Sequence, residues 1–176
     1  MVRTECEYIA DLECILTGYK ERMTSRQSSL AQKADLIFGN MEQLLLFHKQ
    51  VMLFQMENSD DNPRNIASIF IEHSEEILKI YCRYPLLLFI NYCCSMFYCR
   101  YCQNMETAQH VLKNVGENHS VIQSCQRDLG HQLPLSSYLL KPVQRLTKYQ
   151  LILKQLSECS PGMLQLKLDT RLNIRF

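Results

Sequence analysis

The chain has 176 residues, enough for one domain with a substantial core. Its 47% hydrophobic content excludes a disordered chain. A formal net charge of +1 excludes a nucleic-acid binder driven by bulk positive charge.

Residues 3–23 read as the first helix, with Tyr8, Leu12, Ile15, Leu16 and Tyr19 as its apolar stripe. Residues 24–29 form a polar connection. Residues 30–57 read as helical, with Leu36, Ile37, Met41, Leu44, Leu45, Val51 and Phe54 for burial. Gly39 and Asn40 mark an interruption or bend in this stretch. Residues 58–63 are a loop. A third helix starts near Asn65 and turns Ile66, Ile69, Phe70, Ile77 and Ile80 inward. Polar residues 114–120 separate it from a helix near 121–129. No segment alternates with period two, so the predicted fold is all-α, an elongated bundle of helices.

The segment 133–156 is the most informative. Leu139, Val143, Leu146, Leu153 and Leu156 recur at helical spacing and share one side; Lys141, Arg145 and Lys148 share another. A basic face of this kind is ordinarily a solvated surface. Pro142 is expected to bend the helix, since proline lacks a backbone donor and crowds the preceding turn.

The string LKPVQRLTKYQLILK at 140–154 resembles the signature helix of Dbl-homology domains, the exchange modules that act on Rho-family GTPases. TECEYIADL at 4–12 resembles the family's first block, Thr-Glu-x-x-Tyr-Val-x-x-Leu. IFGNMEQL at 37–44, followed by Phe47 and His48, resembles the second. The likeness covers about residues 1–158, in order, and is nearest the branch typified by the Dbl proto-oncogene product. It implies a Dbl-homology bundle over 1–158 with an insertion at about 85–101, then a divergent tail at 159–176.

Two departures stand out. YCRY occurs at 81–84 and again at 98–101, and removing residues 85–101 restores the family's Tyr-x-x-Tyr-Cys-x-Asn pattern. An inserted stretch from splicing or a gene-model error is therefore expected. Residues 84–99 carry no charge but are too short for a membrane span of about 20 apolar residues. An apolar helical extension is expected instead. Cys99 and Cys102 have zinc-ligand spacing, with Cys93, Cys94 and His110 as possible further ligands, but no second such pair is present. At the other end, Pro161 and Gly162 break the likeness where the family continues with a long final helix bearing a GTPase-binding Asn. Asn173 is not taken as that residue. The final helix is expected to be incomplete and the chain a shortened or alternatively ended product.

The resemblance also implies a site. Glu5 matches the carboxylate taken to engage switch I; on residues alone it is an ordinary surface acid near a helix start. Lys148 matches the lysine used against switch II. Arg145 and Lys141 share its face as candidate GTPase contacts, either of which could instead be a structural ion-pair partner. Gln132 and Leu133 fall where family members vary to choose among Rho, Rac and Cdc42 types. A neutral Gln132 removes a salt bridge available to other members and puts specificity for Rho in doubt. Glu5 and Lys148 are expected on one exposed surface.

Catalytic motifs are missing: no HExxH, GxSxG, GxxxxGK[ST] or GxGxxG occurs. His48 reads as a satisfied core or boundary residue. Nine cysteines, an odd number, read as reduced thiols packed as small apolar groups. No secretory leader is expected, and the cytoplasm is favoured, with recruitment to the membrane periphery. The implied function is guanine nucleotide exchange on a Rho-family GTPase, without covalent chemistry, cofactor, metal, nucleic acid or integral membrane span. The alternative is an inactive or weakly active truncated isoform that only binds a GTPase or another protein.

Overall fold

The computed structural model describes residues 1–25, 28, 30–60, 62–73, 100–116 and 118–159, the side chains of residues 100, 150, 153, 154 and 156–159 excepted. Among these residues every regular element is a helix. Helix α1 (Val2–Ile15) runs through a π-helical turn (Leu16–Lys20) into α2 (Glu21–Thr24). Next come α3 (Ala31–Phe38) and α4 (Met41–Phe47). A second π-helical turn (His48–Leu53) leads into α5 (Phe54–Glu57). Then follow α6 (Pro63–Glu72), α7 (Arg100–Val115), α8 (Ser120–Asp128), α9 (Leu135–Tyr138) and α10 (Lys141–Cys159).

Local chemistry sets several boundaries. Asn62 caps α6, its side-chain oxygen accepting from the Arg64 N–H at 3.0 Å, and Pro63 occupies the first helical position. Gly39 interrupts the second predicted helix with φ +54. A Cβ there would lie 2.7 Å from the Asn104 side chain. Asn104 in turn donates to the Leu36 carbonyl at 2.8 Å, so α7 satisfies an acceptor left open at the end of α3.

The stripe of α1 behaves as its spacing predicts: Tyr8, Leu12, Ile15, Leu16 and Tyr19 are all buried. So are Ile37, Met41 and Leu44, and Ile66, Ile69 and Phe70 on α6. Leu36 and Phe54 are corrected, for both are exposed. The Gly39 break gives α3 its own rotation, and Leu30, Ala34, Ile37 and Phe38 take the inner face. For Phe54 the cause is the π-turn. Each i→i+5 turn carries more residues than an α-turn, so the buried positions step Leu44, His48, Met52, Met56 and leave Phe54 outside. The first π-turn does the same at Ile15, Tyr19 and Met23. Ile77, Ile80 and the side chains of Leu153 and Leu156 lie outside the described residues.

Among the described residues two apolar clusters result. The larger joins α1, α3, α7, α8 and the α9 region, with Tyr19, Phe38, Tyr101 and Leu139 fully buried. The smaller gathers Phe47, Met52, Met56, Ile66, Ile69, Phe70, Ile71 and Tyr149. The predicted signature helix is two pieces. Helix α9 ends at Tyr138 and α10 begins at Lys141, so Pro142 bends nothing: it sits in the first turn, where no intrahelical donor is needed. Tyr101 secures the joint by donating its hydroxyl to the Leu139 carbonyl at 2.9 Å. Helix α10 packs on α1, α6 and α7, and Tyr149 reaches His48 of the second π-turn. The expected insertion at about 85–101, apart from the backbone of Arg100 and from Tyr101, and the tail from 160 lie outside the described residues. No helix among those described is long and apolar enough to cross a membrane.

Candidate functional site

The first and last motifs meet through one buried carboxylate. Glu5 is 0% exposed. It accepts from His48 Nδ1 at 2.7 Å, from the Tyr149 hydroxyl at 2.6 Å and from the Arg145 guanidinium. Arg145 is itself buried and also donates to Thr4 Oγ1 at 3.3 Å. Its guanidinium lies 4.6 Å from the Tyr149 ring centroid and 5.4 Å from that of Tyr8. Burial pushes the Glu5 carboxyl up, but the His48 hydrogen bond and the charges of His48 and Arg145 outweigh it. Its pKa is held below the usual carboxylate value. Burial and the neighbouring Glu5 charge push the Tyr149 hydroxyl well up, so it stays a donor.

The expectation that Glu5 stands exposed beside Lys148 is therefore corrected. An unpaired buried carboxylate is costly, and this one is stable only because three donors surround it. Its place is inside the bundle, clasping α1 to α10. For Arg145 the alternative of a structural ion-pair partner is the one the structure shows, inside the bundle against Glu5. Lys141 is half-buried and pairs with Asp11 on α1. Lys141, Arg145 and Tyr149, each four apart, form the side of α10 turned towards α1. That spacing was visible in the sequence, but Tyr149 and Asp11 carry no mark there of being partners.

Lys148 is exposed, and no described carboxylate holds it. Gln144, Lys148, Leu151 and Gln155 recur at helical spacing and are all exposed, with Leu151 a large apolar group among them. This is the open side of α10. Gln132 and Leu133 are exposed on the connection between α8 and α9, and Gln132 Nε2 donates to the Gly130 carbonyl at 3.3 Å. Beside them the His131 ring lies 3.0 Å from the Tyr19 hydroxyl. Burial, then the Lys141 charge, lower the His131 pKa, with Asp11 opposing. Burial raises the pKa of Tyr19 to about 12. Cys6, Cys14, Cys102 and Cys125 are free thiols; Cys99 lies outside the described residues.

An all-helical bundle in which a Thr-Glu-x-x-Tyr helix is clasped to a KPVQRLTKY helix defines a Dbl-homology module. The chain belongs to the RhoGEF domain family, which matches residues 1–165. It is 34% identical to the human "Guanine nucleotide exchange factor DBS", covering 91% of this chain and 13% of that protein. It is 32% identical to the human "Proto-oncogene DBL", covering 99% of this chain and 18% of the relative. The chain thus spans under a fifth of these relatives' length. Among solved structures, the apo structure of the activated truncation of Vav1 superposes with a TM-score of 0.74 at 23% identity, covering 98% of this chain and 42% of that one. The autoinhibited Dbl homology domain described as Y174 gives 0.70 at 22% identity, covering 98% and 78%. These two likenesses show the fold.

Proposed function

We propose that the chain is a guanine nucleotide exchange module that binds a Rho-family GTPase and promotes GDP release. The observation that carries this reading is the RhoGEF match across residues 1–165. No bond is made or broken by the module. It favours the nucleotide-free conformation of the GTPase over the nucleotide-bound one, and that difference in binding accelerates release. The contacting surface is the open side of α10 centred on Lys148, together with Gln132 and Leu133. Supporting this is the burial of Glu5 and Arg145, which leaves Lys148 as the exposed cation of the KPVQR-x-x-KY string. Lys141 stays at the edge of the surface, tied to Asp11. The site of action is the cytoplasm, at the membrane periphery, in keeping with the free thiols.

Release of a fluorescent GDP analogue from purified Rho-, Rac- and Cdc42-type GTPases tests the reading. Accelerated release from at least one is expected. Failure to bind any of the three, even nucleotide-free, would overturn it. Binding without accelerated release would leave a GTPase-binding fragment in place of an exchange factor.

A further inference from the structure

The connection carrying Gln132 and Leu133 is held from beneath. Gly130 turns the chain out of α8 with φ +65, a conformation that side chains rarely adopt. Gln126, on α8, donates its side-chain Nε2 to two carbonyls of this connection, those of His131 at 3.2 Å and Leu133 at 3.1 Å. The backbone carbonyl of Gln126 accepts the His131 N–H at 3.0 Å. The His131 ring is fixed on three sides: Nδ1 lies 3.0 Å from the Tyr19 hydroxyl, Nε2 lies 3.6 Å from Cys14 Sγ, and the ring stacks on Tyr138 with centroids 4.0 Å apart. Tyr19 is fully buried, so this anchor belongs to the core. Pro134 follows with φ −66 and restricts Leu133 to extended backbone.

Leu133 is nonetheless 55% exposed. A large apolar side chain is thus displayed on backbone dictated by the interior. A partner meeting it needs to order little, and a partner of the wrong shape finds little give.

We propose that Gln126 and His131 are positioning residues that set which Rho-family GTPase the chain accepts, by holding the backbone of Gln132 and Leu133 in one conformation. The inference rests on the reading above that Gln132 and Leu133 face the GTPase. Neither residue touches the partner; each acts through the backbone it holds.

Two variants of the full chain test it. Gln126→Glu is nearly isosteric, but an ionised carboxylate donates to neither carbonyl. His131→Phe keeps a ring on Tyr138 and loses both polar contacts with α1 and the first π-turn. Three quantities are measured: affinity for nucleotide-free Rho-, Rac- and Cdc42-type GTPases, hydrogen exchange in the free chain at the amide of His131, whose N–H donates to the Gln126 carbonyl, and melting temperature. Faster exchange at that amide is expected, together with a change of about threefold to tenfold in the ratio of affinities, the scale of one lost hydrogen bond. A purely structural role lowers all three affinities by one factor, or lowers the melting temperature with the ratios kept. Either result overturns the inference, as does amide exchange equal to the parent's. If the parent chain binds no GTPase, the functional reading itself has failed and the specificity claim falls with it. In that case amide exchange alone decides whether Gln126 and His131 fix this backbone.

Discussion

Replacing Glu5 by Gln keeps the side chain's shape and removes its charge. Three donors now converge on that group. An amide offers one acceptor oxygen in place of two, and its NH2 must face at least one of those donors. Arg145 stays buried at 4% exposure with no anion beside it. Breaking a buried pair by removing one partner costs about 3–5 kcal/mol. Domains hold only about 5–15 kcal/mol in reserve, so about a fifth or more of the stability is at stake. At about 2–4 °C per kcal/mol for a chain of this size, the melting temperature should fall by about 6–20 °C. Thermal and urea unfolding followed by circular dichroism read this directly. A fall of under about 2 °C, the response of an exposed acid worth below about 1 kcal/mol, would refute the buried clasp. A double-mutant cycle with Arg145→Met sharpens the test. Removing both charges leaves no orphan, so the double variant should be more stable than the sum of the single losses predicts. Strict additivity would show that the two groups do not interact.

Four further outcomes are expected. Because the folded-state pKa of Glu5 lies below its unfolded value of about 4.3, its stabilisation is complete above that pH and is lost as pH falls through the lowered folded value. Urea midpoints measured across that acid window should fall less steeply in Glu5→Gln than in the parent. Lys148→Ala should change stability by no more than about 0.5 kcal/mol yet weaken GTPase binding, and equal affinity in a titration would remove Lys148 from the proposed surface. Tyr101→Phe strips the Leu139 carbonyl of its donor and should cost about 1–3 kcal/mol by denaturant unfolding. Deleting residues 85–101 joins Tyr84 to Cys102 and supplies the same Tyr-Cys step; the deleted chain should keep its helical spectrum, and loss of helicity would count against an inserted stretch.

Much of the bundle is legible from apolar spacing, because an α-helix repeats regularly and its core side must be apolar. Tyr8 to Tyr19 on α1 and Ile66 to Phe70 on α6 are read this way. The reading slips where the period changes. Nothing in the local composition announces a π-turn at residues 48–53, so the burial of Met52 and Met56 in place of Phe54 follows only from backbone that adds a residue. The site is harder still. Hydropathy places Glu5 and Arg145 in water, and their burial depends on partners 43, 140 and 144 positions from Glu5. The motif resemblance finds the right residues for Glu5 and Arg145. It cannot by itself separate residues that bind a partner from residues that hold the motifs together.

The clasp also has a consequence in time. Glu5 and Arg145 stand 140 positions apart. At a synthesis rate of about 5–20 residues per second, Glu5 waits about 7–30 s for its guanidinium. During that interval its helix cannot be buried without stranding a charge, whatever its apolar stripe favours. The nascent chain is thus kept from settling early, and closure must await the arrival of α10. Folding of this module is in effect licensed by the arrival of the very segment that presents its partner-facing surface.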